Sequence, residues 1–228
     1  MTSEQAAALH ALIDTLRARF PEVMFEDCSG GGGRADLGML QRMDQIWPSD
    51  NTNPTDRLYI QSGFLRIFPP GIMVDWVTDD NWHHAGVSMK YRFAVSMAGV
   101  LGVGGDITKW NEADRDTAKK MIALYKEIRP IIQQGTVYQL MLPTASDRVA
   151  LEYLSPDRQQ GVLLLYTMRD PLAGSTETER VTRVVRFLGL DPNASYAIQS
   201  DASDGPEQVL SGRTLMDVGM PWPIFGDY

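Results

Sequence analysis

The sequence predicts an α/β segment followed by an all-β domain: parallel βα units first, then an antiparallel β-sandwich, with the boundary near residue 136. Three observations carry this. Up to residue 70 the elements alternate as helix, strand, loop, helix, strand, loop, helix. After Gly135 the pattern changes to short β-type runs separated by turn clusters. Both loops of the first part carry unusual residues and follow strand ends, where parallel sheets gather their ligands.

In order along the chain, Ala7, Leu9, Leu12, Ile13, Leu16 and Phe20 recur at helical spacing, with Ser3 as the expected cap and Pro21 as the stop. Val23 to Asp27 is a short strand running into Gly30-Gly31-Gly32-Gly33. A helix is expected from about Asp36 to Met43, then a strand over Gln45-Ile46-Trp47. Past the loop from Pro48 to Pro54, a further helix should run from Thr55 to Phe68, ended by Pro69-Pro70. Only two βα units are counted, because Ile72 to Ile107 has no clear period. Asn111 caps a long helix from Glu112 to Gln134 whose apolar stripe includes Ala118, Met121, Ile122, Tyr125 and Ile128. The β-type runs are Val137 to Leu142, Val149 to Leu154, Gly161 to Met168, Arg180 to Phe187 and Tyr196 to Gln199.

A net charge of -8 with a pI near 4.9 argues against a nucleic-acid partner or an anionic membrane surface. The single cysteine, Cys28, excludes an internal disulfide and a multi-cysteine metal site, and a lone thiol suits the reducing cytoplasm. No run reaches the roughly 20 apolar residues a membrane span needs, and the start lacks a signal-peptide core. Asp79, Asp80, His83 and His84 are the one cluster with metal-ligand residue types, but adjacent histidines diverge and no His-x-x-x-His spacing supports them. No metal or cofactor is expected.

Four glycines between a strand and a helix let backbone approach a ligand closely. A ligand-free turn is one explanation, although the chain entropy of four glycines is costly. A dinucleotide site is a second: Gly30-x-Gly32-x-x-Ala35 formally matches the fingerprint, with Asp50 at the spacing of a ribose-binding acid. A sugar pocket is the third. Cys28, Ser29 and the glycine amides would serve hydroxyl groups, Trp47 would pack a sugar's C–H face, and Asp50 adds a carboxyl group at the next strand end.

Cys28-Ser29-Gly30-Gly31-Gly32-Gly33-Arg34-x-Asp36-Leu37-Gly38-Met39-Leu40 followed by Gln45-Ile46-Trp47-x-Ser49-Asp50-x-Thr52 closely resembles the α-galactosidases of glycoside hydrolase family 36. The likeness continues through Asp56-Arg57-Leu58-x-Ile60-Gln61-x-Gly63, Ile132-Gln133-Gln134-Gly135 and Leu215-Met216-Asp217-Val218-Gly219. It implies a (β/α)8 barrel with a C-terminal antiparallel domain, so that residues 1–135 would be the last two βα units, strands seven and eight, and 136–228 the β domain. It also implies a retaining hydrolase of terminal α-galactosyl residues, with Asp50 as acid/base and Cys28, Gly30, Gly31 and Trp47 lining the galactose subsite. Arg34 and Asp36 match the motif as well, but as structural residues at a helix start.

A retaining mechanism needs a second carboxylate as nucleophile. In the family this lies in a Lys-Trp-Asp motif on an earlier strand, which would fall upstream of Met1. Lys109-Trp110-Asn111 only imitates it: Asn replaces Asp, and Asn111 is the helix cap. The chain is therefore expected to be silent unless another chain supplies the rest of the barrel, both of its ends resembling cuts, and its expected partner is a second copy in a homo-oligomer or a complementing N-terminal chain. A non-catalytic galactoside-binding or assembly module and a dinucleotide-binding fragment are the alternatives.

Overall fold

The computed structural model describes residues 2–79, 87–145, 148–168, 184–200 and 208–221. The first helix, α1 (Ser3–Arg19), is capped by Thr2 rather than by Ser3. The reason is reciprocal: the Thr2 hydroxyl accepts from the Gln5 N–H, and the Gln5 side chain accepts from the Thr2 N–H. Ser3 would have Ala6 in that third position, which returns nothing. Two ion pairs dock α1 on the chain ahead of the second strand: Arg17 to Asp44 at 2.8 Å and Arg42 to Asp14 at 2.9 Å. Asp44 also accepts from the Phe25 N–H, so one carboxylate fixes both α1 and the entry to the first strand.

Four parallel strands follow in sequence order. β1 (Glu26–Asp27) pairs with β2 (Gln45–Ile46), and β3 (Val74–Val77) pairs with β4 (Val100–Val103). An isolated parallel bridge between Ile46 and Met73 joins the two pairs. The count of two βα units is thus corrected to four, and β1 and β2 are not the last parallel strands of the chain. Both missed strands break the apolar run that marks a buried parallel strand. β3 carries Asp75, which is 1% exposed, and β4 carries Gly102, which interrupts its β-propensity. That glycine is required by packing: a Cβ there would lie 2.3 Å from Cδ1 of Trp76.

Short helices fill the crossovers. Between β1 and β2 lie a turn-like α2 (Ser29–Gly32) and α3 (Leu37–Leu40), the latter shorter than expected. Beyond β2, α4 (Pro54–Phe64) starts on Asn53, whose side chain accepts from the Thr55 and Asp56 N–H groups, and ends four residues before Phe68. α5 (Met89–Ser96), capped by Ser88, connects β3 to β4. The long α6 (Glu112–Gln134) is capped by Asn111 as predicted and buries Ala118, Met121, Tyr125 and Ile132. The Tyr125 hydroxyl donates to Gly99 O at 2.6 Å and accepts from the Leu101 N–H, pinning the helix to β4.

The second part is antiparallel wherever its strands pair. β5 (Thr136–Met141), β6 (Arg148–Leu154) and β7 (Gly161–Thr167) form a meander, close to the predicted runs. β8 (Val184–Val185) pairs with β11 (Met220–Pro221), and β9 (Ser195–Ile198) pairs with β10 (Gln208–Ser211), which leads into α7 (Gly212–Asp217). Residues 180–183 of the run expected from Arg180 lie outside the described residues.

One apolar core crosses residue 136. Ile46, Leu58, Phe64, Met73, Val95 and Ile132 pack with Val149, Leu151, Tyr153 and Tyr166 of the meander. Hydroxyl groups fix the same contact: Tyr153 donates to Ala98 O and Tyr166 to Ala94 O, at 2.7 and 2.9 Å. No described helix is long and apolar enough to cross a membrane.

Candidate active site at the ends of the parallel strands

β1 delivers Asp27 and Cys28 into a turn wound in the left-handed sense. From Ser29 through Gly32 every φ is positive, at 44°, 70°, 81° and 82°. L-residues with a Cβ lose roughly 1–2 kcal/mol each in that conformation, so the glycine run is what makes the turn affordable. Ser29 is the one non-glycine member, and its hydroxyl is held by Asp27 Oδ1 at 2.8 Å. The Gly32 N–H closes the turn on Cys28 O at 2.6 Å.

The glycines differ in what they face. A Cβ on Gly31 would sit 2.9 Å from Asp50 N and 3.2 Å from its Cγ. One on Gly32 would sit 2.4 Å from Pro48 O, whereas Gly30 has nothing within 4 Å. The loop is therefore packed against the segment after β2, and Gly31 is where its backbone meets the Asp50 carboxylate. The N-terminus of α3 beyond it is taken by Asp36, whose side chain accepts from the Met39 N–H. A four-residue helix with an acidic cap already on its Met39 N–H is a poor pyrophosphate cradle, which removes the main support of the dinucleotide reading.

Asp50 is exposed at the end of β2, yet it is oriented. Its Oδ1 accepts from Trp47 Nε1 at 2.9 Å, and Cys28 Sγ lies 3.9 Å from the same oxygen. Cys28, Gly31, Trp47 and Asp50 are thus brought together from two adjacent strand ends, while Gly30 forms the outer bend of the turn. Trp47 is only 6% exposed. The Arg57 guanidinium stands 4.3 Å from its ring centroid, and the Trp76 ring lies 4.6 Å away, tilted by 37°. Its polar edge, rather than an open face, meets the site. Trp76 is 39% exposed and presents the accessible aromatic surface next to it.

Beneath Trp47 lies a buried charged layer. Arg57, on the first turn of α4, is 0% exposed, and its Nε is 3.0 Å from Asp75 Oδ1 on β3. Asp75 Oδ2 accepts from Gln61 Nε2 at 2.7 Å. Burial pushes the Asp75 carboxyl up to about 6, against the pull of Arg57, the Trp76 N–H, Ser96 and Gln61. Burial likewise lowers the Arg57 guanidinium, opposed by Asp75 and then Asp50.

Sequence reasoning missed Arg57, Asp75 and Trp76 as members of this layer. The one available signal was a carboxylate inside the short apolar run Val74-Asp75-Trp76-Val77, since a buried charge demands a partner. Asp79 is occupied structurally, accepting from Trp110 Nε1 and the Asp106 N–H. Asp80, His83 and His84 lie outside the described residues, and among those described no group of three or more His, Cys, Asp or Glu side chains is placed to hold a metal ion.

Two family models match the chain: Melibiase over residues 2–135, and the glycosyl hydrolase family 36 C-terminal domain over 148–228. Alpha-galactosidase AgaA of Geobacillus stearothermophilus is 35% identical over 217 residues, covering 94% of this chain and 28% of its own length. Alpha-galactosidase 1 of Pediococcus pentosaceus is 35% identical over 223 residues, covering 96% of this chain and 29% of its own. Among solved structures, a variant of AgaA in complex with raffinose superposes with a TM-score of 0.86 at 33% identity, over 96% of this chain and 29% of that one. The alpha-galactosidase from Lactobacillus brevis gives 0.82 at 32% identity, over 100% and 31%. The chain spans somewhat under a third of the length of these relatives. With the model for the melibiase domain matching well over half of its residues, the chain belongs to glycosyl hydrolase family 36.

Proposed function

We propose that this chain is the C-terminal part of a retaining α-galactosidase, carrying the acid/base carboxylate Asp50 and taking its nucleophile from residues outside 1–228. The single observation that supports this most is the oriented carboxylate: Asp50 stands in the loop after the parallel strand β2, holds the Trp47 indole N–H at 2.9 Å and abuts the Gly31 backbone. In the first step Asp50 gives its proton to the glycosidic oxygen as the bond from that oxygen to the anomeric carbon breaks, and the nucleophilic carboxylate forms the glycosyl ester. In the second, water attacks the anomeric carbon, Asp50 takes its proton, and the ester bond breaks. Cys28, Gly30, Gly31 and Trp47 surround the galactosyl ring, Trp47 through its edge. A relative in complex with raffinose fits an α-galactoside as the ligand class.

On this reading the four parallel strands are part of a (β/α)8 barrel, residues 1–135 form the barrel portion and 136–228 a sandwich domain, and the lone thiol suits a cytoplasmic enzyme. The remaining strands lie outside residues 1–228.

The test is hydrolysis of an aryl α-galactoside by the chain alone and with a second chain supplying the upstream strands. The chain alone is expected to be silent. The complemented enzyme should turn over, and Asp50→Asn should slow it by about 10²–10⁴-fold. Turnover by the isolated chain that survives Asp50→Ala sinks the proposal.

A further inference from the structure

We propose that Arg57, held by Asp75, is a positioning residue that clamps the Trp47 indole so that its N–H stays on Asp50. The inference rests on the reading of Asp50 as the acid/base, but its geometry can be tested without turnover.

Three observations point the same way. The first is the disposition of the guanidinium. Arg57 is fully buried, with Nε 3.0 Å from Asp75 Oδ1 as an ion pair. None of its three nitrogens, Nε included, has a hydrogen-bond partner among the described residues. A guanidinium kept for stability alone would be expected to have its donors paired, because a buried ion pair that is incompletely satisfied is often no better than an apolar replacement. What the group does offer is its flat face, stacked 4.3 Å from the Trp47 ring centroid.

The second is the sequence position of the clamp. Trp47 and Arg57 stand at the two ends of one segment, with Asp50 between them. Asn53 caps α4 within that segment, and the Asn51 amide donates to Asp56 at 2.8 Å. The stack closes the segment on itself, so Asp50 projects from a fastened loop rather than a free one.

The third is a second contact on the indole, the Trp76 ring 4.6 Å away and tilted by 37°. With Arg57 and Trp76 both against it, the indole is restrained from rotating. The restraint reaches Asp50 through one bond, Trp47 Nε1 to Oδ1 at 2.9 Å. Because Oδ1 is engaged as an acceptor, the transferable proton belongs on Oδ2. A general acid loses effect when its reach is off by a fraction of an ångström, so the clamp sets which oxygen meets the leaving group.

The test is nitrogen-15 NMR of the full 228-residue chain, following the Trp47 indole N–H, with the Trp110 indole as internal control. Trp110 donates to Asp79 at 2.8 Å and lies away from the clamp. In the unmodified chain the Trp47 proton should exchange with water more slowly than a free indole. Arg57→Lys keeps the charge and loses the plane; it should speed exchange at Trp47 about tenfold while leaving Trp110 unchanged. Unchanged exchange at Trp47 in a folded Arg57→Lys protein overturns the proposal.

If that variant loses the Trp110 signal, Asp75→Asn, which frees Arg57 without shortening any side chain, is measured instead, with the same expectation. If both lose it, the unmodified chain decides: free-indole exchange at Trp47, or no magnetisation transfer between the Arg57 Nε proton and the Trp47 ring, also overturns it. The parent reading fails by a separate route. If the complemented enzyme keeps its activity in Asp50→Asn while the indole results hold, Arg57 still positions Asp50, but Asp50 is not the acid/base.

Discussion

The parallel and antiparallel parts of the molecule each sink a carboxyl group deep into the core, and they treat it in opposite ways. Asp75 on β3 and Glu152 on β6 are both 1% exposed. Asp75 has a cation at 3.0 Å and accepts from Gln61, so burial raises it only to about 6. Glu152 accepts from the Leu188 N–H at 2.7 Å on one oxygen, and its other oxygen has no partner among the described residues. Burial raises it to about 7, with only that N–H opposing. Charge is used differently in the two parts: beside the candidate site an ion pair is assembled under an aromatic ring, while in the β region burial without a cation shifts a carboxyl toward its protonated form.

Removing the two charges should therefore have opposite effects on stability. Asp75→Asn leaves Arg57 buried without its partner and should cost about 3–5 kcal/mol in urea unfolding at neutral pH. A cost below about 1 kcal/mol would mean that the pair is better solvated than its burial indicates. The shared core sets the next effect. Leu151 is 2% exposed in a cluster that contains residues of both parts. Leu151→Ala should cost about 2–5 kcal/mol, and Trp fluorescence, four of whose five reporters precede the meander, should follow the same transition as far-UV dichroism. Two separated transitions would break the picture of one cooperative core and make the halves independent in more than their charges.

Glu152→Gln comes third, with the sign reversed. Its folded value of about 7 stands above the ordinary 4.5. The folded state therefore binds the proton more tightly, and the penalty for ionisation is absent below the ordinary value. It grows as pH rises between the two values and is complete above the higher, at roughly 3 kcal/mol. The amide keeps an acceptor for Leu188 but adds a buried donor without a partner, so the net gain should be about 1–2 kcal/mol at pH 8. At pH 4 the gain should vanish. Equal effects at both pH values would show that Glu152 is not titrating in this range.

How much of this was legible follows from how local each cause is. The Asn111 cap and the stripe of α6 are contained in one helix, and the structure keeps both. The glycine turn and Asp50 follow two consecutive strands, β1 and β2, so their meeting could be expected from strand order alone. β3 and β4 were hidden because Asp75 and Gly102 exist for partners elsewhere: Arg57 and Gln61 from α4 in the first case, Trp76 in the second. The clamp on Trp47 joins three elements, and no window along the chain contains it. Even the first cap turned on a reciprocal bond, Thr2 with Gln5, that a residue preference for Ser or Thr does not distinguish.

The smallest effect sharpens the comparison inside the parallel part, by separating what holds the fold from what holds the site. Gly30 and Gly31 share a left-handed conformation, with φ of 70° and 81°. Alanine at either should lose about 1–2 kcal/mol for that reason alone. They differ in space: a methyl group at Gly30 meets nothing within 4 Å, but one at Gly31 falls 2.9 Å from Asp50 N and 3.3 Å from Oδ2. Backbone cannot yield as a side-chain tip can, so Gly31→Ala must move the segment that carries Asp50. Gly30→Ala should therefore lower stability slightly and leave the Trp47 indole signal where it was. Gly31→Ala should shift that signal at a similar thermodynamic cost. If both variants moved it alike, the turn would act on Asp50 through its general stiffness, and the close approach at Gly31 would carry no separate role.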